Sequence, residues 1–273
     1  MKERTASYDF VAFDDLNIHY QVSGMGPALV MIHGFTFDLR CWEDQFETFV
    51  KQNQVLRYDL RGHGRSSPPS MNSYTYHDDL RNLVDHMGIS SACIIGHSLG
   101  GSIAINFALN YPESTSSLVL VDPGLGGFDW SGEVLTWMES TWNAASESSL
   151  EEAREVWLKG APWKPALEIP EVSTRVREMI GDYSGWHWMN EDPHEIPEIP
   201  AIQRLSEIKC PTLLVIGGRN PQEYHRLADT IENNVADIRR IIIPSAGHAP
   251  NMESSKEFNR KVREFLSEIG HAA

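Results

Sequence analysis

The sequence predicts an α/β fold: a mostly parallel sheet with helices on both faces and an inserted helical cap. Two observations carry this expectation. Short apolar runs, each stopped by a glycine or an aspartate, alternate with stretches of helical spacing through both ends of the chain. That order suits a parallel sheet covered on both faces. Between the two ends, residues 123 to about 203 drop the alternation for helical pieces cut by Pro162, Pro165, Pro170, Pro193, Pro197 and Pro200.

Each element has its own signal. "DFVAFDDLNIHYQVSG" has short alternating runs ending in a glycine turn, which suits a β-hairpin. "PALVMIHG" is an apolar strand stopped at Gly34, and "QVLRYDLRGHGRS" is another stopped at Asp59. Between them Arg40 to Gln52 has helical spacing, with Trp42, Phe46, Phe49 and Val50 on one face. A helix is expected after Tyr74 to about Met87, then the strand "ACIIG", a helix from Leu99 to Asn110 stopped before Pro112, and the strand "SSLVLVD". The cap follows this sixth strand. Alternation resumes with "TLLVI", a helix around Tyr224 to Glu232, "RRIIIP", and a final helix from Glu253 to about Ile269. The expected division is a core of residues 1–122 and 204–273 and a cap of 123–203.

Composition narrows the function classes. The 273 residues are 41% hydrophobic and 22% charged, enough for one large α/β core and unlike a disordered chain. A net charge of -15 argues against nucleic acid or an anionic membrane surface as partner. The start, "MKERTASYDF", has no apolar run of signal-peptide type, and no stretch approaches the ~18 apolar residues of a membrane span. Cys41, Cys93 and Cys210 lack metal-ligand or CxxC spacing and read as free thiols. The expectation is a cytoplasmic protein with no metal and no cofactor, its oligomeric state open.

The chemistry centres on "CIIGHSLGGS". Gly96-His97-Ser98-Leu99-Gly100 fits G-x-S-x-G with a strand before it and a helix after it. Larger side chains two residues either side of the serine would clash in so tight a turn, hence the glycines. The turn lifts the hydroxyl off the sheet edge and aims it at a helix N-terminus, which favours a developing oxyanion. "IIIPSAGHAPNME" places His248 in a glycine loop after the last strand, from where an imidazole can reach Ser98 and take its proton. Glu253 is expected in the first turn of the last helix, complementing its dipole.

"MIHGF", "YDLRGHGRS", "GHSLGG" and "PSAGHAPNME", in that order, resemble the α/β-hydrolase superfamily over nearly the whole chain. The resemblance implies a serine nucleophile, Ser98, with His248 as base and the backbone N–H groups of Phe35 and Leu99 as the oxyanion hole. It makes His33 a hydrogen-bonding residue beside the substrate rather than a base, with Gly34 letting the backbone approach. His97 and His63 are read the same way.

The acid departs from the pattern. The resemblance implies a carboxylate in a G-x-x-D turn after the seventh strand, but the match here is Gly217-Gly218-Arg219-Asn220. Three readings stand. Asp122, closing "LVLVD", lies at the same sheet edge and keeps the order Ser…Asp…His. Glu223 is three residues beyond Asn220. In the third, Asn220 itself orients His248 as a neutral partner, or the chain is a weakened or non-hydrolytic member.

Seven of the eight tryptophans fall in the cap. Trp137 and Trp157, in helical stretches, read as packing residues. "DYSGWHWMNEDP" is expected to line an apolar pocket with Trp186, His187 and Trp188. Residues 123–203 carry 15 Asp+Glu against 5 Lys+Arg, which adds the idea of a cationic substrate such as a macrolide-type lactone. The expected activity is hydrolysis of a bulky carboxylic ester or lactone. A cofactor-independent dioxygenase or C–C bond hydrolase, and a slow or non-catalytic ligand-binding receptor, are the alternatives.

Overall fold

Eight strands form one sheet in the order β1-β2-β4-β3-β5-β6-β7-β8 in this computed structural model, which describes residues 7–271. The leader expectation, resting on the first residues, thus falls mostly outside the described residues. The strands are β1 (Ser7–Phe13), β2 (Leu16–Ser23), β3 (Ala28–Ile32), β4 (Gln54–Tyr58), β5 (Ala92–His97), β6 (Thr115–Val121), β7 (Thr212–Gly217) and β8 (Ile238–Ile243). The hairpin β1–β2 and the β2–β4 pair are antiparallel; β4, β3, β5, β6, β7 and β8 pair in parallel.

Helices alternate with these strands: α1 (Glu43–Phe49), α2 (Tyr76–His86), α3 (Leu99–Asn110), then, past the cap, α9 (Gln222–Asn234), α10 (Pro250–Glu253) and α11 (Ser255–Glu268). Side chains of a strand alternate between faces, and β3 shows the result. Val30 and Ile32 join the core under α2, α3 and α9, whereas Leu29 and Met31 join the core under α1 and α11. Because β3, β5 and β7 are buried on both faces, they read as unbroken apolar runs.

Residues 123–203 form α4 (Gly132–Glu147), α5 (Leu150–Leu158), α6 (Lys164–Leu167), α7 (Pro170–Asp182) and α8 (Trp186–Met189), plus short 3-10 turns. They follow β6, the sixth strand in sequence and the fourth of the parallel set. Their apolar faces, including Val134, Trp157, Val176 and Ile180, merge with the α1/α11 core rather than forming one apart. Among the described residues no helix is long and apolar enough to cross a membrane.

Candidate active site

The C-terminal ends of β3, β5, β6, β7 and β8 lead to Phe35, Ser98, Asp122, Asn220 and His248 respectively. β3 and β5 are neighbours, yet the chain leaves β3 for β4 on one side and β5 for β6 on the other. Such a switch in direction opens a crevice at the strand ends, where open α/β sheets bind ligands.

Ser98 sits between β5 and α3 with φ 52° and ψ -113°, a conformation L-residues avoid. The flanking glycines make that turn possible. A Cβ on Gly96 would come within 2.1 Å of the Gly100 carbonyl oxygen, and one on Gly100 within 2.2 Å of the Ile32 carbonyl oxygen. Leu99 opens α3, so its N–H has no partner within the helix. Ser98 Oγ lies 3.0 Å from His248 Nε2, which is hydrogen-bond distance.

The loop carrying His248 is held from several sides. The His248 N–H donates to the Pro162 carbonyl at 3.3 Å, and its carbonyl accepts from His97 Nε2 at 2.6 Å. The Glu253 carboxylate accepts from the N–H groups on both sides, Gly247 at 2.6 Å and Ala249 at 2.8 Å. Glu253 therefore closes the short α10 and braces the loop that carries His248; it does not open the last helix, which starts at Ser255. Tyr224 and Trp163 pack on the imidazole, with ring centroids 4.6 and 5.3 Å away. Burial, followed by the nearby His97, holds His248 well below the ordinary histidine value, so its imidazole rests neutral.

The other histidines of this edge are tied to backbone. His33 Nε2 accepts from the Leu60 N–H at 2.9 Å, so its Nδ1–H donates to the Gly34 carbonyl at 2.8 Å. His63 donates from Nδ1 to the Arg61 carbonyl at 3.0 Å. His97 is held down to about 4, chiefly by burial. None of the three lines the cavity at Ser98, and neither does Gly34. His97 packs behind Gly34 instead, leaving no room there for a Cβ.

Asp122 is fully buried at the end of β6, with φ 40°. Its carboxylate accepts from the Gly217 N–H at 3.1 and 3.3 Å. Burial pushes the carboxyl well above the ordinary range, opposed by that N–H and reinforced by the charge of Glu253. The Tyr224 hydroxyl is raised by burial first and by the charge of Asp122 second. Among the described residues, His248 Nδ1 is buried without a hydrogen-bond partner. Asn220 is buried too, close enough to lower the Asp122 carboxyl, yet neither amide atom has an aligned partner. Glu223 turns elsewhere: its carboxylate lies against Gly132, 2.6 Å from where a Cβ would stand.

A cavity of about 290 Å³ opens over Ser98, lined by Phe35, Leu99, Ser102, Leu125, Met138, Tyr224, His248 and five tryptophans, Trp130, Trp137, Trp142, Trp157 and Trp163. This corrects the expected lining. Trp137 and Trp157 pack in the core, as expected, and also face the cavity. Trp186, His187 and Trp188 do not line it. Trp188 lies behind the wall, 5.9 Å from Trp157 and 6.0 Å from Phe35 between ring centroids. His187 is pinned between Tyr183 (2.9 Å from Nδ1) and Tyr76 (3.1 Å from Nε2), and Trp186 meets its ring edge-on at 5.0 Å. α8 is a single turn packed on α4 with Trp188 buried in the core, whereas the longer α4 and α5 supply Trp137, Met138, Trp142 and Trp157 to the cavity wall. A larger cleft, about 440 Å³, lies beside Arg40, Arg65 and Asp182 and includes neither Ser98 nor His248.

Comparison with known proteins follows the same lines. The profile of the Alpha/beta hydrolase family matches residues 29–261. A 2-hydroxy-6-oxononadienedioate/2-hydroxy-6-oxononatrienedioate hydrolase of Burkholderia vietnamiensis is 29% identical, over 96% of either chain. A carboxylesterase of Bacillus subtilis is 26% identical over 88% of this chain and 80% of its own. The crystal structure of a hydrolase from Pseudomonas aeruginosa superposes with a TM-score of 0.80 at 27% identity, covering 95% of this chain and 98% of that one.

Proposed function

We propose that this chain, which belongs to the alpha/beta hydrolase family, is a cofactor-free serine hydrolase of small carboxylic esters or lactones with an apolar or aromatic portion. The observation that carries the reading is the 3.0 Å approach of His248 Nε2 to Ser98 Oγ on a strained turn at an aromatic cavity.

In this reading the Ser98 hydroxyl donates to His248 Nε2 and its oxygen attacks the substrate carbonyl as the proton transfers. The oxyanion accepts from the N–H groups of Phe35 and Leu99. The imidazolium then gives its proton to the leaving alcohol as the ester C–O bond breaks. Water, deprotonated by His248, releases the acyl group from Ser98.

Asp122 is the carboxylate we assign to His248. Its complete burial and its strained backbone at the end of β6, on the edge that carries Ser98, support the assignment, although no hydrogen bond joins it to Nδ1 here. A carboxylate there would fix the Nδ1–H tautomer and stabilise the imidazolium.

The cavity favours a compact substrate. Its volume is at the low end of the ~300–1,000 Å³ of ligand pockets, which disfavours a macrolide ring. No charged side chain lines it, so the acidic cap surface offers no direct partner to a cationic group inside. The same absence weighs against the C–C hydrolase alternative, because a dicarboxylate of the kind named for the Burkholderia relative would meet no cation there. A panel of p-nitrophenyl and lactone substrates of increasing size tests the reading. Short acyl and aryl esters are expected to turn over, and Ser98→Ala to lower turnover by roughly 10⁴-fold or more. Ring-fission diketones cleaved in preference to every ester would overturn it.

A further inference from the structure

Thr36 is a strained residue that the proposed mechanism leaves unused. It stands in the turn Gly34-Phe35-Thr36-Phe37, closed by the Phe37 N–H donating to the Gly34 carbonyl at 3.2 Å. Its φ is 65°, a conformation that glycine takes freely and a β-branched residue takes only under constraint. The side chain is fully buried and its hydroxyl is used twice. Oγ1 donates to the Phe35 carbonyl at 2.6 Å and accepts from Trp157 Nε1 at 2.9 Å. Trp157 belongs to α5 of the cap, stacks on Trp137 with centroids 4.1 Å apart, and meets the Phe35 ring edge-on at 5.5 Å. One threonine hydroxyl therefore ties the residue bearing a proposed oxyanion N–H to a cap helix 121 positions away in sequence.

We infer that Thr36 is a positioning residue: its hydroxyl, anchored by Trp157, orients the Phe35 segment so that the oxyanion site is complete only when α5 is seated over it. Glycine would satisfy the backbone alone, so it is the hydroxyl that the strained conformation serves. This rests on the reading of Phe35 as an oxyanion donor. It adds a route by which the cap influences turnover as well as substrate fit.

The test measures kcat and KM for p-nitrophenyl butyrate, with kcat expressed per site titrated by a fluorophosphonate, in Thr36→Gly, Thr36→Ser, Trp157→Phe and the Thr36→Gly/Trp157→Phe double variant. Thr36→Gly is expected to lower kcat about tenfold with KM changed less than about twofold, because misplacing one donor costs rate rather than binding. Thr36→Ser, which keeps both hydrogen bonds, is expected to restore kcat to within about twofold of the parent. Trp157→Phe is expected to lower kcat, and the double variant to be no slower than the slower single one, since both substitutions break one linkage. Parental kcat in Thr36→Gly, a loss confined to KM, no rescue by serine, or losses that multiply would each overturn the inference. If Thr36→Gly does not fold, Trp157→Phe against Thr36→Ser decides: parental kcat per titrated site in Trp157→Phe overturns the coupling. A parent chain that neither reacts with the fluorophosphonate nor cleaves the ester refutes the hydrolase reading itself, a separate outcome.

Discussion

Ser98, Thr36 and Asp122 all hold a positive φ, at 52°, 65° and 40°. Among the described residues the only other non-glycine residue to do so is Asp14, in the β1–β2 hairpin turn. Such conformations cost of order 1–3 kcal/mol each and persist where the surroundings over-determine them. Three of the four stand at one sheet edge, around the cavity. For Asp122 this gives a firm expectation. Asp122→Asn should cut kcat by roughly 10³- to 10⁴-fold, the scale at which an amide misdirects the histidine tautomer. Asn220→Ala should cost less than about tenfold, because its amide makes no aligned hydrogen bond. Steady-state kinetics on the two variants measure this, and equal or reversed losses would move the acid away from Asp122. At this scale the serine and the histidine were legible because their neighbours are fixed types: glycines at Gly96 and Gly100, a glycine before His248. Thr36 was not, since nothing in a threonine's identity announces a positive φ.

The elements place these residues, and here the sequence was legible in proportion to how local each signal is. Apolar runs and their glycine or aspartate stops located the strands, and Leu99–Asn110 appears as a helix as its apolar content and Pro112 suggested. Glu253 was misread because the break between α10 and α11 depends on a tertiary contact: its carboxylate turns back to two loop amides instead of capping a longer helix. Trp186 and Trp188 were misplaced for a related reason. Their cluster is dense in sequence, but which helices line the cavity is decided by packing between α4, α5 and α8. Glu253→Ala would leave the Gly247 and Ala249 N–H groups without an acceptor, at about 1–3 kcal/mol for each that stays buried. Thermal melting should show that loss, with a fall in kcat larger than any change in KM. Unchanged melting and unchanged kcat would show that the His248 loop is held by its other contacts.

Over the whole molecule, burial has set the histidines apart from their ordinary behaviour. His33, His63, His77, His97, His187, His194 and His248 all lie below 6.5, with burial the first cause in each, and His97 and His187 are at about 4. The unfolded chain therefore binds more protons than the folded one once pH falls below 6.5. The stability these groups contribute is fully present above 6.5 and is lost as pH falls through their folded values. Asp79, Asp122 and Glu253 are raised by burial and act in the opposite sense, gaining stability as pH falls, but they are fewer. Melting temperature should accordingly drop between pH 7 and pH 5, and a melting temperature that rises over that range would contradict the balance. In the proposed mechanism activity should also weaken on the acid side, since His248 would have to stay neutral to accept the Ser98 proton. The proposed mechanism requires a covalent acyl intermediate on Ser98, formed with His248 as base. The most direct measurement is mass spectrometry of the chain quenched during turnover of p-nitrophenyl butyrate. A butyryl adduct is expected on the peptide containing Ser98, absent in Ser98→Ala and formed far more slowly in His248→Ala. Turnover with no adduct on that peptide, or an adduct that survives Ser98→Ala, would contradict the mechanism.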